Sequence, residues 1–219
     1  MAEIPTREEM YHALEQRHGV QLQKKLSAAS VAICGLGGLG SNIAIALARA
    51  GVGHLHLIDF DRVDISNLHR QQYVPRQLGQ PKTDALFDTL SEIAPYCQIQ
   101  RDCIRLTEEN IPTLLAKTDI ICEALDEAEQ KAMLVNCVLT QLPEKYLVAS
   151  SGMAGLESAN RIQTRKITNR FYVCGDGVSD IADGIGLLAS RVMICAAHQA
   201  HAVIRIIAGE TEVSHEQGR

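Results

Sequence analysis

The residues with chemistry in their spacing begin at Gly35-Leu-Gly37-Gly38-Leu-Gly40, a G-x-G-x-x-G run. It lies between an apolar stretch, Val31-Ala-Ile-Cys34, and a helical pattern from Ser41 to Ala50. Glycines at these positions let backbone N–H groups approach phosphate oxygens at a helix N-terminus, where the helix dipole favours an anion. A second apolar run, His54-Leu-His-Leu-Ile58, closes at Asp59. A carboxylate there accepts hydrogen bonds from ribose hydroxyls. Together these features indicate an adenine nucleotide, without separating NAD, FAD and ATP.

The next segment, Asp59-Phe-Asp61-Arg-Val-Asp-Ile-Ser-Asn67-Leu-His-Arg70-Gln71, makes the separation. Hydride transfer has no use for an amide, a guanidinium and a second amide beyond the ribose carboxylate, whereas a triphosphate does. Attack on the α-phosphorus spreads negative charge that fixed cations and donors must neutralise. Arg70 offers a bidentate fork and Asn67 an amide N–H. Lys82, after Pro81, offers a point charge. Asp126 suits Mg²⁺ shared with water and phosphate oxygens. Singly, Asn67 reads as a turn residue, Arg70 and Lys82 as solvated charges, and Asp126 as a helix cap. Their joint placement beyond a nucleotide turn favours the catalytic reading.

The elements that must carry these residues follow from hydrophobic periodicity. Residues 6–29 read as an amphipathic helix that Gly19 can divide. Strands are expected at 31–34, 54–58, 98–103, 119–123, 146–149 and 161–167. Helices are expected at 41–50, 82–93, 108–116, 127–142 and 187–207, with a mobile Gly- and Asp-rich loop from Cys174 to Gly186. Strand–helix alternation predicts an α/β, Rossmann-like, doubly wound and mostly parallel sheet with flanking helices and a short C-terminal extension. The division expected is a helical arm over 1–29 and one ATP-binding domain over 30–219. The 21-residue polar stretch from Phe60 to Gln80 is too long for a mere connection, which argues for function.

Composition narrows the classes. The chain has 219 residues, 46% of them apolar, enough for a packed core. It has no apolar run of the ~18 residues that a spanning helix needs, and no signal-like block at its start. A net charge of −5 argues against nucleic acid as the main partner. Seven scattered cysteines include no Cys-x-x-Cys pair, so buried reduced thiols in a cytoplasmic protein are expected, without structural zinc. His54, His56, His198 and His201 form no recognisable ligand grouping.

At this point the chain resembles the ubiquitin-activating-like superfamily, which includes the ThiF and MoeB adenylyltransferases. Gly35–Gly40, Ala50-Gly-Val-Gly-His-Leu55, Asp59-Phe-Asp61, Ser66-Asn-Leu-His-Arg-Gln71 and Gly79-Gln-Pro-Lys82 carry the likeness, from about Lys24 to Gly209. Ser151-Gly-Met-Ala-Gly155 and Ala196-Ala-His-Gln199 resemble the short ThiF-like subfamily assigned to thiamine synthesis. The resemblance implies ATP-dependent adenylation of the C-terminal Gly-Gly carboxylate of a small ubiquitin-like sulfur carrier, in a homodimer. It places Gly35, Gly37, Gly38, Gly40, Asp59, Asp61 and Gln71 around the nucleotide, Asn67, Arg70 and Lys82 on the phosphates, and Asp126 on magnesium. It also implies an N-terminal arginine reaching across the dimer, with Arg17 the candidate and Arg7 the alternative. Cys174 is the candidate thiol, although its position aligns better with a former zinc ligand. Glu127 replaces a common Asn, and Gly152 and Gly155 are expected to leave room for the carrier tail. Rival readings are adenylation of a molybdopterin-synthase-type carrier or a tRNA-bound carboxylate, and a non-catalytic adaptor.

Overall fold

Runs of β-branched and other apolar residues that bury both faces set the architecture. In the computed structural model, which describes residues 4–213, helices α1 (Arg7–His18) and α2 (Val20–Ala28) precede strand β1 (Ser30–Cys34). There follow α3 (Gly38–Arg49), β2 (His54–Ile58), α4 (Lys82–Ile93), β3 (Gln98–Asp102), α5 (Ile111–Leu114) and β4 (Ile120–Glu123). The chain continues with α6 (Ala128–Gln141), β5 (Tyr146–Ser150), β6 (Gln163–Lys166), β7 (Phe171–Gly175) and α7 (Ala189–Ala208). The sheet order is β3-β2-β1-β4-β5-β7-β6, and only the β6–β7 pairing is antiparallel.

Alternation along each strand feeds two cores. Val31, Ile33, Leu55, Leu57 and Cys122 pack with Ile43, Leu47, Leu86 and Val203 of α3, α4 and α7. Ala32, Cys34, Ile58, Ile121 and Leu147 pack on the other face with Ile111, Leu134 and Val138 of α5 and α6. This three-layer arrangement is the doubly wound α/β sheet expected from strand–helix alternation. Strand order reverses between β1 and β4, which opens a crevice beyond their carboxyl ends.

Four expectations need correction. The N-terminal stretch divides at Gly19, as that glycine allows, but α1 buries no residue and so lacks the apolar face expected of it. Its start is fixed locally, by a capping box between Thr6 and Glu9. The helix expected over 108–116 contracts to the short α5, whose second position is Pro112. The run from Cys174 is not all loop, because Cys174 and Gly175 end strand β7, between β5 and β6. Lastly, Gly152 leaves room for the chain itself. With φ at +78°, a Cβ there would lie 2.1 Å from Asp176 Oδ1. Gly155 has open space around it.

Candidate functional site

A cavity of about 700 Å³ lies at the carboxyl ends of β1, β2, β4 and β5. Gly35, Gly37 and Gly38 form one side of it. The turn is tight because α3 starts almost on top of β1: a Cβ at Gly40 would sit 1.8 Å from the Gly35 carbonyl oxygen. Gly40 therefore shapes the turn from behind. Tyr73 supports the same turn, its hydroxyl donating to the Leu36 carbonyl at 2.8 Å.

Asp59 follows β2 and is buried at the cavity edge. Its Oδ2 accepts from the Leu36 N–H at 2.6 Å, and Oδ1 from the Asp61 N–H at 2.8 Å. Burial raises its carboxyl above the usual range, against the lowering pull of Lys82 and those two N–H groups. The Lys82 ammonium is buried 2.7 Å from Asp61 Oδ2 and 3.9 Å from Asp59 Oδ2. The apolar side chains of Ile58, Phe60, Ile104, Leu106 and Leu125 line the adjoining wall, and Arg105 stacks over Phe60 at 4.7 Å. A flat heterocycle suits such a wall. Glu127 meets Arg105 at 3.6 Å across the rim.

Arg70 and Gln71 line the cavity and are loosely satisfied. Arg70 Nη2 donates to Asn67 Oδ1 at 3.3 Å, Nη1 lies 3.4 Å from His69 Nε2, and Nε is buried without a partner. Gln71 is 6% exposed; its Nε2 donates to Asn67 Oδ1 at 2.8 Å while its Oε1 has no partner. Asn67 itself does not line the cavity. Its amide nitrogen donates to Ser66 Oγ at 3.1 Å, so it holds Arg70 and Gln71 from behind instead of presenting its N–H. Asp126 lines the far side, is exposed, and its carboxylate has no ion pair or hydrogen bond among the described residues. One carboxylate beside phosphate oxygens matches the donor set of Mg²⁺, which keeps most of its water.

Three candidates stand elsewhere. Arg17 lines a separate cavity of about 350 Å³ with Leu14, Arg49, Val52, Ile93 and Cys97. Those residues lie at the amino ends of β2 and β3, so Arg17 cannot serve its own chain's crevice. Arg7 stacks over Tyr11 at 5.1 Å on the same arm. Cys174 is fully buried, and burial pushes its thiol up to about 11, the reverse of an activated nucleophile. Of the histidines, His56 pairs with Asp102 at 2.6 Å and His198 Nδ1 lies 3.0 Å from Thr164 Oγ1. Among the described residues no three His, Cys, Asp or Glu side chains converge as a ligand set.

The motif reading missed Glu123, Lys131, Ser150 and the Asp176–Arg191 pair. Lys131 and Ser150 line the cavity, and Lys131 Nζ lies 2.9 Å from Glu123 Oε1. Ile120-Ile-Cys-Glu123 held the signal, since a carboxylate ending a buried strand needs a cation, and Lys131 stands one turn into the next helix. Asp176 and Arg191 join the loop after β7 to α7, and Gly177 to Ile181 of that loop border the cavity. Burial would raise the Asp176 carboxyl, but N–H groups of Ser179 and Val178, with Arg191, hold it down to about 2.

A profile of the ThiF family matches residues 11–218. The adenylyltransferase and sulfurtransferase MOCS3 of Culex quinquefasciatus is 34% identical over 204 residues, covering 89% of this chain and 45% of that protein. The molybdopterin-synthase adenylyltransferase of Haemophilus influenzae is 35% identical over 136 residues, 58% of this chain and 56% of that protein. The chain thus spans about half the length of these curated relatives. The crystal structure of the E. coli tRNA N6-threonylcarbamoyladenosine dehydratase in complex with ATP superposes with a TM-score of 0.83. Identity there is 18%, over 95% of this chain and 98% of that chain, so the likeness is one of fold.

Proposed function

The chain belongs to the ThiF family, and from that premise we propose that it uses ATP to adenylate the C-terminal carboxylate of a small ubiquitin-like sulfur carrier. The observation that carries the reading is the buried, unpartnered Arg70 Nε beside the glycine turn, with Lys82 and Asp126 on the same cavity. A buried donor without an acceptor costs about 1–3 kcal/mol. A turn of the Arg70 side chain that brings Nε onto a phosphate oxygen would offset that cost.

In this reading the adenine lies on the Phe60, Ile104 and Leu106 wall, and Asp59 receives the ribose hydroxyls. The α3 N-terminus and Gly38 face phosphate oxygens. Arg70, steadied by Asn67, and Lys82 neutralise charge as the carrier carboxylate attacks the α-phosphorus and pyrophosphate leaves. The carrier is left as an acyl-adenylate, the activated form for sulfur transfer. Magnesium, held by Asp126, would supply further charge neutralisation on the phosphates. No protein nucleophile is required, because positioning and electrostatics suffice for this displacement, and burial of Cys174 agrees. Arg17 enters the reading only as a contribution from a second copy of the chain.

Mass spectrometry of a carrier incubated with the protein and ATP·Mg²⁺ tests the reading, with an AMP adduct as the expected result. The relatives' names favour a molybdopterin-synthase-type carrier, and the Ser151–Gly155 motif a thiamine-type carrier, so both belong in the assay. If neither gains AMP and neither supports pyrophosphate–ATP exchange, carrier adenylation falls. A second reading, activation of a tRNA-bound carboxylate, rests on the fold shared with the E. coli dehydratase and is opposed by the net charge of −5. Adenylate formation on tRNA in the same assay would decide for it.

A further inference from the structure

Beyond the nucleotide wall, the crevice depends on a junction that the β ladder does not hold. The β4–β5 register runs Ile120↔Tyr146, Ile121↔Leu147 and Cys122↔Val148, and stops there. One residue further on, side chains replace the ladder. Glu123 is 0% exposed; its Oε1 accepts from the Leu125 N–H at 2.8 Å and from Lys131, and its Oε2 accepts from the Ser150 N–H at 3.3 Å. The Lys131 ammonium also donates to the Leu125 carbonyl at 2.8 Å and to Ser150 Oγ at 3.3 Å. From the opposite face, Gln199 Nε2 donates to the Glu123 carbonyl at 2.9 Å and the Val148 carbonyl at 3.2 Å.

A buried ion pair is an expensive way to close a strand end, since well-packed apolar residues often serve stability as well or better. Its value here lies in geometry. The Leu125 carbonyl belongs to the peptide bond that enters Asp126, and Ser150 begins the Ser150–Ala154 segment lining the cavity. One ammonium, on a side chain about a quarter exposed, therefore ties the backbone that leads into Asp126 on one wall to the start of another.

We propose that Lys131, anchored on Glu123, is a positioning residue that holds Asp126 and the Ser150–Ala154 wall in register across the splayed ends of β4 and β5. The inference rests on the adenylation reading for its kinetic consequence, but not for its structural one. Lys131→Met alone would leave Glu123 buried and unpaired, so the informative variant is Glu123→Gln with Lys131→Met, which removes both charges. The expected result is a cooperative unfolding transition and an ATP affinity, measured by calorimetry without carrier or Mg²⁺, within about threefold of the parent. With a Gly-Gly-ending sulfur carrier as substrate, kcat should fall about 10²-fold, the scale of a 1 Å misplacement. Half-saturation of ATP binding by Mg²⁺ should need about tenfold more metal. Lys131→Arg, which keeps the charge and donors, should recover kcat to within about tenfold of the parent.

A double variant with kcat and Mg²⁺ dependence both near parental values overturns the proposal. So does a loss of ATP affinity and kcat in proportion to lost folded protein, which describes a purely structural pair. If the parent itself shows no exchange with any carrier, the adenylation reading fails and the Mg²⁺ titration of ATP binding alone decides. A raised requirement upholds the positioning role, and an unchanged one ends it. If the double variant does not fold, Lys131→Gln, which removes the charge and keeps a donor, is compared with the parent by the same titration, and a raised Mg²⁺ requirement upholds the role while an unchanged one overturns it.

Discussion

Two walls of one cavity are built on opposite rules. On the wall with Arg70 and Gln71, the Arg70 side-chain contacts are long, and both Arg70 Nε and Gln71 Oε1 are buried without partners. Across the cavity, the two carboxylates with buried side chains, Glu123 and Asp176, are saturated. Glu123 accepts from Lys131 and two backbone N–H groups, and Asp176 accepts from Arg191 and the N–H groups of Val178 and Ser179 at 2.9 Å each. The first wall leaves one donor, Arg70 Nε, and one acceptor, Gln71 Oε1, unpaired; the second fixes these two carboxylates. Unsatisfied buried groups lower stability, and they occur on both sides, at Arg70 Nε and Gln71 Oε1 on the first wall and at Ser179 Oγ, Arg191 Nε and Gln199 Oε1 behind the second. The contrast therefore lies in the carboxylates and not in the number of open groups.

If the contrast is sound, substitutions on the two walls should fail in different ways. The largest effect belongs to Arg191→Met, which strips Asp176 of its cation while leaving the carboxylate buried. The unfolding free energy should fall by about 3–5 kcal/mol in urea titration. Adding Asp176→Asn should restore part of it, whereas no restoration would mean that Arg191 acts through its bonds to the Glu157 and Ser158 carbonyls. Next is Arg70→Ala, expected to lower pyrophosphate exchange 10²–10³-fold, the effect of deleting one fixed transition-state donor. Its unfolding midpoint should stay near that of the parent. A large stability loss there would blur the distinction between the walls.

The smallest expected effect is a dependence on pH. The Asp176 carboxyl is held at about 2, below the ordinary 3.8. A depressed carboxyl contributes stability that is present above the unfolded value and lost as pH falls through the folded one. Stability should therefore drop between about pH 4 and pH 2, and the drop should be smaller in Asp176→Asn. Equal acid limbs for parent and variant would remove Asp176 from the account.

Much of this was legible because it is local. The G-x-G-x-x-G turn, the apolar runs of β1, β2 and β4, and Asp59 at a strand end all depend on neighbours within a few residues, and each lies where periodicity puts it. β7 escaped because Phe171-Tyr-Val-Cys174 is short and runs straight into Gly175-Asp-Gly177, so the turn residues mask the strand. The role of Asn67 escaped for a different cause. Residue type says that an amide can donate, but not that its donor already faces Ser66 and its acceptor faces Arg70 and Gln71.

The amino-acid sequence by itself determined the strand–helix alternation, the glycine turn after β1 and the set of cations that follow it, since these follow from side-chain type and spacing along a few turns of chain. Only the tertiary structure decided which polar groups are left open and which are closed. That outcome depends on residues 19 to 76 positions apart, such as Ser150 beside Lys131 and Gln199 against Glu123, meeting where the ladder between two strands ends. Hydrogen bonds reward such meetings only at contact distance, and the distance is set by how the sheet twists and its strand ends diverge.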